Sequence, residues 1–286
     1  MGLGGFGISR YLHEELLYQE ALKHGVEFLL DTKAMSISQS TDGAFKVVTK
    51  SQTLSASLIC NASGRRSNLE MTERGQKDAT TNYVGVKYHV RLARDPEQIE
   101  IHNFPGGYCG ISSIEEGKSC LCYIVNAKQL AAANKSIPEL EEKILFQNKN
   151  LERIFREAEF ILKEPVTVSG INFLIKEPLN GTSFFLGDSA GSIAPVTGNG
   201  MSMGLRSAYV LGLNADRYFK GEITKDELRK NYSGFWNKEF STRIKLSRYF
   251  QKLSEYPALT NITLSLFKNF PSLAKKVIRL THGKPF

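Results

Sequence analysis

The sequence lacks any run of about 18 consecutive apolar residues, so no helix of the chain is expected to cross a membrane. The first seven residues do not join a basic segment to an apolar core, which excludes the pattern of a secretory signal peptide. Low-complexity tracts are also missing, and 41% of the 286 residues are hydrophobic. These features predict a globular protein of the cytoplasm.

Cysteine and histidine are too few and too scattered to suggest a metal site. The four cysteines, Cys60, Cys109, Cys120 and Cys122, include no C-x-x-C pair, and the five histidines do not recur at ligand spacing. Cys120 and Cys122 lie two residues apart in a predicted strand, so their side chains share one face. We therefore expect reduced thiols and no structural metal.

Positive charge is concentrated near the end of the chain. Residues 220–286 contain fourteen Lys and Arg against five Asp and Glu, a balance of +9 in a chain whose net charge is +8. The residues before them are therefore close to neutral. Interspersed apolar residues predict amphipathic helices packed on the body with a solvated basic face, and contact with a membrane surface is the alternative. No motif supports nucleic-acid binding.

The first half of the sequence predicts one helix and two antiparallel sheets. Apolar spacing and a following Gly25 predict a helix over Ser9–His24. The Asp42-Gly43 pair is a strong hairpin signal within a three-stranded meander. The predicted strands are a short Val26–Leu30, the meander strands Ala34–Ser38, Phe45–Lys50 and Leu54–Asn61, and the second-sheet strands Tyr83–Leu92, Ile99–Phe104, Tyr108–Ile114 and Ser119–Asn126.

The second half is predicted to be mostly helical. One or two charged helices span Pro138 to about Ala158, and a strand follows over Val166–Ile175. Further helices are predicted over Asn199–Tyr218 and Thr224–Leu253, and then over two shorter segments split by Pro257 and Pro271.

Two glycine-containing segments match phosphate-binding motifs wholly or partly in residue type and spacing but not in structural context. Gly2–Gly7 fits G-x-G-x-x-G, but no strand precedes it in this sequence and no acidic residue follows on a second strand. The segment Gly117-Lys118-Ser119 resembles the end of a P-loop, but Ser112 stands where that loop needs glycine. Both motifs are rejected because neither has its structural context.

The stretch from Phe184 to Gly204 is the best-marked part of the chain. It predicts a buried strand, then Asp188 at the strand end, then a loop with Gly198 and Gly200 at the start of a helix. Free backbone N–H groups and the positive end of the helix dipole would face a ligand there. Small residues at i+4 spacing along the helix predict close packing against the sheet; they are Gly200, Gly204, Ala208 and Gly212.

This stretch resembles the second FAD-binding motif of the flavoprotein family that includes p-hydroxybenzoate-hydroxylase-type monooxygenases, geranylgeranyl reductases and tryptophan halogenases. The resemblance implies that Asp188 contacts a ribityl hydroxyl of FAD. It also implies that a set of residues lies beside the isoalloxazine ring: Pro195, Gly198, Asn199, Gly200 and Met201. An ordinary strand–turn–helix is the alternative.

Two further segments resemble the same family in the same order. The segment from Gly7 to Arg10 is similar to the one where an arginine reaches FAD; the alternative is a helix cap with a surface arginine. The segment from Cys60 to Ser67 is similar to a strand-end motif near the FAD pyrophosphate. Many members carry Asp-Gly there, which helps with NAD(P)H, whereas this chain has Ser63-Gly64. Ser63-Gly64 keeps an anion-binding turn but lacks the acidic residue, and a plain turn is the alternative. Because the acid is missing, NAD(P)H is only a candidate electron donor.

The subclass depends on weaker features. The run Gly106-Gly107-Tyr108 resembles the substrate-domain segment of geranylgeranyl reductases, which implies that Tyr108 lines a substrate pocket; a hairpin turn with a packed aromatic is an equal alternative. Gly191 stands where aromatic hydroxylases usually have histidine. The single tryptophan, Trp236, lies outside any halogenase motif. These features place a reductase ahead of a hydroxylase and disfavour a halogenase.

The family's N-terminal Gly-rich βαβ unit, which holds the ADP half of FAD, has no counterpart in the sequence. We therefore expect an α+β fold: an N-terminally incomplete α/β FAD-binding fold, an inserted antiparallel substrate sheet and a helical C-terminal part. The predicted domains are a partial FAD-binding domain (1–80 and 176–220), a substrate-binding domain (81–175) and a helical region (221–286).

The resemblance implies an FAD-dependent oxidoreductase that reduces a carbon–carbon double bond of an apolar, prenyl- or lipid-like substrate. A flavin monooxygenase acting on a small aromatic substrate is the first alternative. A non-catalytic fragment or subunit that needs a partner chain is the second, because FAD binding by this chain alone is expected to be weak. No residue is identified as a catalytic acid or base, which is compatible with a cofactor that supplies the chemistry. The oligomeric state is not predicted.

Overall fold

The structure, a computed structural model, describes residues 6–41, 43–65, 69, 82–181 and 183–282. The chain divides into two compact units. Unit 1 comprises Met1–Phe28, Thr80–Asn172 and Lys252–Ser265. Unit 2 comprises Leu29–Ala79, Phe173–Gln251 and Leu266–Phe286.

The described residues form strands and helices that are numbered along the chain. The strands are β1 (Ser36–Gln39), β2 (Phe45–Val48), β3 (Thr53–Ala56), β4 (Cys60–Asn61), β5 (Tyr83–Arg91), β6 (Ile99–Phe104), β7 (Gly107–Ser113), β8 (Ser119–Asn126), β9 (Glu159–Phe160), β10 (Val166–Ile171), β11 (Leu179–Asn180) and β12 (Ser183–Phe185). The helices are α1 (Arg10–Lys23), α2 (Ala127–Ala132), α3 (Ile137–Lys143), α4 (Lys149–Glu157), α5 (Gly200–Phe219), α6 (Lys225–Ser254), α7 (Pro257–Asn269) and α8 (Pro271–His282).

Unit 1 is built on an antiparallel sheet of strand order β10-β5-β8-β7-β6, with β9 paired to β5. Alternate residues of each strand face opposite sides. One face carries Val86, Tyr88, Ile111 and Leu121, which form a buried core with side chains of α3 and α4 such as Leu151. The predicted second sheet is confirmed, and the predicted charged segment forms two helices.

The segment before α1 is held against this sheet. Ser9 caps α1 by accepting from the Leu12 N–H at 3.1 Å, while its own N–H donates to the Glu115 carboxylate at 2.8 Å. Hydrogen bonds from the Ser9 hydroxyl and the Ser9 N–H lower the pKa of Glu115 to about 2. A Cβ added at Gly7 would lie 1.8 Å from the Ser113 carbonyl oxygen, so only glycine allows this approach.

Unit 2 contains two small sheets and its own core. The meander β1-β2-β3 is antiparallel, as predicted, and a second sheet has the order β11-β12-β4. A separate cluster of buried side chains joins β12 to α5 and α6 through Phe184, Met203, Tyr232 and Trp236. The strand predicted over Leu54–Asn61 is two strands, β3 and β4, which belong to different sheets.

The predicted strand over Val26–Leu30 is wrong, because these residues have no strand geometry. Their apolar side chains are exposed, with Leu30 at 64% and Leu29 at 49%. An apolar run becomes a strand only when a neighbouring strand satisfies its backbone groups.

All four cysteines lie among the described residues and are free thiols. Within the described part of the chain, no group of three potential ligands is arranged to hold a metal ion. None of the described helices combines the length and the apolar character needed to span a bilayer.

Candidate functional site

Two of the predicted motifs meet at the end of a pair of parallel strands in unit 2. β4 and β12 are parallel, with Cys60 opposite Phe184 and Asn61 opposite Phe185. The segments that follow them are tied together, because the Leu186 N–H and the Ser189 hydroxyl both donate to the Asn61 carbonyl oxygen, at 3.0 and 2.6 Å. The carboxyl ends of parallel strands are where α/β folds bind ligands.

The turn after β4 is organised by the side chain of Asn61. The Ser63 N–H and hydroxyl both donate to its amide oxygen, at 3.0 and 2.6 Å. Gly64 follows with a φ of 78°, a left-handed conformation that favours glycine. The sequence prediction recognised Ser63-Gly64 but did not recognise that Asn61 closes the turn.

The turn after β12 presents Asp188. The turn residues Gly187–Ser189 form one 3-10 turn, in which Asp188 is half-buried. The Gly187 N–H donates to the Ser207 hydroxyl of α5 at 3.2 Å, and that hydroxyl donates in turn to the Gly204 carbonyl at 2.8 Å. This chain of hydrogen bonds fixes the end of β12, and with it Asp188, against α5.

A second turn leads into α5. Pro195–Thr197 form a 3-10 turn that ends at Gly198, whose φ is 67°. The turn is anchored at its start, where the Ala194 N–H donates to the buried Ser247 hydroxyl of α6 at 3.0 Å. Pro195 and Gly198 are exposed, so this turn faces outward from unit 2.

The N-terminus of α5 has no side-chain cap. Asn199 occupies the capping position, but its buried amide donates instead to the Thr281 carbonyl at 2.9 Å, near the end of α8. Gly200 is exposed, and a Cβ there would come no closer than 3.8 Å to Ile193. The first N–H groups of α5 and the positive end of its dipole are therefore available to an electron-rich ligand.

The sequence matches no protein-family model and no curated protein. Solved structures are similar in three dimensions. The flavin-dependent brominase Bmp2 has 18% identity over 96% of this chain and 70% of its own, with a TM-score of 0.77. The halogenase PltM has 17% identity over 87% of this chain and 54% of its own, with a TM-score of 0.72. HpxO from Klebsiella pneumoniae, solved with FAD, has 14% identity over 95% of this chain and 73% of its own, with a TM-score of 0.68.

The chain has a flavoprotein fold. The likeness spans nearly the whole chain, but between about half and three quarters of these longer flavoproteins. The expected α+β fold of flavin-binding type is thus confirmed. At these low sequence identities the similarity establishes the fold alone, and the roles of individual residues stay predictions.

Within this flavoprotein fold, unit 2 contains eight of the ten predicted site residues. They are Ser63, Gly64, Asp188, Pro195, Gly198, Asn199, Gly200 and Met201. The Met201 side chain is 54% exposed, whereas the Asn199 amide is engaged by Thr281. A cavity of about 220 Å³ in the same unit is lined by meander and sheet residues such as Phe45 and Ser183. None of the eight lines this cavity, but Asn61, which closes the Ser63 turn, does, so the cavity adjoins the candidate site.

The other two predicted site residues lie in unit 1. Arg10 is exposed and pairs with Glu14, one turn further along α1. Tyr108 is 6% exposed in β7, and burial raises the pKa of its phenol above the ordinary value. It lies on the face opposite the helices, because its neighbour Cys109 belongs to the core.

Residues behind the site were not recognised from the sequence. Tyr232 donates to the Phe185 carbonyl at 2.5 Å, which fixes the last residue of β12. Gly191 gives close packing, since a Cβ there would lie 2.9 Å from the Trp236 ring. The small residues in the run Asp188-Ser-Ala-Gly191 indicate close packing. The sequence does not show what packs there, because the partners on α6 lie more than 40 positions away.

Proposed function

We propose that this chain provides the flavin-ring side of an FAD-dependent oxidoreductase. The observation that carries the proposal is the arrangement in unit 2, where two strand-end turns and an uncapped helix N-terminus belong to one small sheet-and-helix body. The flavoprotein fold of the chain supports it.

The residues present fit a flavin ring. A Cβ added at Gly198 would meet no atom within 4 Å, so the loop leaves room for a planar group. The N–H groups at the start of α5 suit the N1–C2=O edge, which gains negative charge on reduction. Asp188 would accept a hydrogen bond from a ribityl hydroxyl. Gly64 would offer its N–H to the pyrophosphate, since the Ser63 N–H already donates to Asn61.

FAD, when bound, would supply either hydride or activated oxygen. The part of this chain would then be to orient the ring, to stabilise charge at its edge and to exclude water. Arg10 would contact the cofactor and Tyr108 would line the substrate pocket, as the family resemblance implies. NAD(P)H is the candidate electron donor.

Two reaction types are supported by different observations. Similar folds in a flavin-dependent brominase and a halogenase support oxygen-activating chemistry of the monooxygenase type. Gly191 and the Gly106-Gly107-Tyr108 turn support reduction of a carbon–carbon double bond in an apolar substrate. A fragment or subunit that binds FAD only with a partner chain is the third reading.

Replacement of Asp188 by alanine tests the site. A hydrogen bond to a charged group is worth about 1.5–3 kcal/mol, so Asp188→Ala should weaken FAD binding roughly 10- to 100-fold. The measurement is a fluorescence titration of FAD with purified protein. Asp216→Ala is the matched control, because Asp216 lies on α5 in an exposed pair with Lys220.

The outcomes separate the alternatives. Equal FAD affinity in Asp188→Ala and the unmodified chain would contradict the site. No FAD binding by the unmodified chain would favour the reading as a subunit that needs a partner. If FAD binds, NAD(P)H oxidation that is insensitive to oxygen indicates a reductase, whereas oxygen uptake stimulated by an aromatic compound indicates a monooxygenase.

A further inference from the structure

A cluster of reactive side chains lies on the sheet of unit 1, outside the proposed flavin site. Cys120 and Cys122 are alternate residues of β8, so both thiols stand on the face opposite the helix-packed core. Across the ladder to β5, Cys122 is opposite Lys87 and Cys120 is opposite His89. Two thiols, an amine and an imidazole therefore occupy four adjoining positions.

The other side of the cluster is open. Across the ladder to β7, Cys122 is opposite Gly110 and Cys120 is opposite Ser112, so only small side chains stand there. Cys122 is exposed and Cys120 is partly exposed. A small reagent can therefore approach the two sulfur atoms from the β7 side.

The charges around the cluster favour a thiolate at Cys120. A hydrogen bond from the Cys122 thiol, aided by the Lys87 ammonium, lowers the pKa of Cys120 to about 7. The same hydrogen bond raises the pKa of Cys122, which keeps its proton. Burial and the Lys87 charge lower the pKa of His89, so this imidazole is neutral at pH 7.

The remaining titratable groups around the cluster do not oppose a thiolate at Cys120 beside a protonated Cys122. Tyr108 on β7 faces the same side, and burial keeps its phenol protonated. Cys109 belongs to the opposite face, and burial raises its pKa. Glu115 and Lys118, in the turn between β7 and β8, act on His89 with opposite sign.

Strand geometry disfavours a bond between the two thiols. Two strand steps of about 3.3 Å put the Cα atoms of Cys120 and Cys122 roughly 6.6 Å apart, near the upper limit of about 6.8 Å for a disulfide. β8 is paired on both sides, so its backbone has little freedom to contract. A third sulfur atom is therefore the better partner for the thiolate.

We propose that Cys120 is a modification site that exchanges with anionic low-molecular-weight disulfides. The Cys120 thiolate attacks one sulfur of the disulfide, the new Cys120–S–S–R bond forms, and the reagent's own S–S bond breaks. The Cys120 sulfur is oxidised, and the departing sulfur leaves as a thiolate that takes a proton from water. Lys87 would attract the negative charge of the incoming molecule.

Glutathione disulfide is the probe, and the reduced full chain is the sample. Reaction of each cysteine is followed by mass spectrometry of peptides from pH 6 to pH 9. Cys60 is an internal reference, because it is exposed but desolvation raises its pKa. The lowered pKa places a larger fraction of Cys120 in the thiolate form at pH 7 than the few per cent of an ordinary thiol. Lower intrinsic nucleophilicity offsets part of this, so Cys120 should react roughly three- to fivefold faster than an ordinary thiol and by at least that factor faster than Cys60.

Three variants test whether Cys120 reacts because of its neighbours Cys122 and Lys87 or only because it is exposed. Cys120→Ser should abolish the fast modification, whereas Cys122→Ala and Lys87→Met should keep it but move its pH midpoint upward from about 7. Thermal unfolding of the reduced variants checks that the sheet is intact. Equal rates at Cys60 and Cys120, an unchanged midpoint in Cys122→Ala, or an internal Cys120–Cys122 disulfide as the product would overturn the proposal.

Discussion

Gly187 is a residue at which a hydrogen bond ties the end of β12 to α5. Its φ is 52°, and a Cβ added there would lie 3.4 Å from the Gly204 Cα. The backbone conformation, more than this contact at ordinary van der Waals distance, therefore disfavours a side chain at Gly187. The predicted close packing of α5 does not depend on Gly204 or Gly212, because a Cβ at either glycine would meet no atom within 4 Å.

Alanine at Gly187 and alanine at Gly212 should have opposite effects. Gly187→Ala should lower the free energy of unfolding by about 1–2 kcal/mol, because the left-handed conformation penalises a Cβ. Gly212→Ala should raise it by up to about 1 kcal/mol, since alanine is the better helix former. Urea denaturation measures both values, and a neutral Gly187→Ala would show that the turn relaxes easily.

Short motifs predicted the exposed part of the candidate site better than its supports. The turn positions of Asp188 and Gly198 could be predicted because they depend on local order: strand, turn, helix. Asn199 shows the limit, since its amide bonds to Thr281, 82 positions away. No local pattern contains such a contact, and the same holds for the Tyr232 hydroxyl on the Phe185 carbonyl.

One carboxylate of α3 is hydrogen-bonded to the sheet of unit 1. Glu141 accepts hydrogen bonds from the Tyr88 hydroxyl of β5 at 2.7 Å and the Tyr123 hydroxyl of β8 at 2.9 Å. Burial raises the pKa of Glu141 above its ordinary value of 4.5, although the two hydroxyls partly oppose the shift. The folded state therefore holds the proton more tightly than the unfolded state does.

This shift predicts a pH dependence of stability. The contribution of Glu141 is fully present below pH 4.5 and is lost as pH rises through the raised pKa, because the unfolded state releases the proton first. Glu141→Gln should remove this loss. The difference in free energy of unfolding between variant and parent, here called the gap, should therefore change with pH. Urea denaturation between pH 4 and 7 measures the gap, with the exposed neighbour Glu142→Gln as control. A gap that stays constant with pH would contradict the assignment.

Elements with local signals were predicted well, and elements that depend on distant pairing were not. β6 and β8 match their predicted bounds because alternation and turn residues mark both ends. The run Leu54–Asn61 has the same apolar character, yet it divides because β3 pairs with β2 and β4 pairs with β12. The exposed Val26–Leu30 has strand composition without a partner strand.

The positive charge of the chain is concentrated towards its end, where the last two helices also have exposed apolar side chains. Residues 220–286 hold a balance of +9. Four of their Lys and Arg lie in the last two helices. Not one residue of α7 is buried, and Ile262 and Leu264 are 66% and 56% exposed. On α8, Lys275 and Lys276 are exposed beside Leu273. On α8 itself, basic and apolar side chains together suit the surface of an anionic bilayer.

We therefore predict that the full chain binds vesicles containing phosphatidylserine. Each lysine near such a surface contributes about 1 kcal/mol, so Lys275→Gln with Lys276→Gln should weaken binding roughly 10- to 30-fold. Lys128→Gln with Lys135→Gln removes the same charge from exposed positions far along the sequence, and should have little effect. Co-sedimentation at two salt concentrations measures binding, which should fall as salt rises. Equal binding to uncharged vesicles, or equal loss in both double variants, would favour a solvated basic face instead.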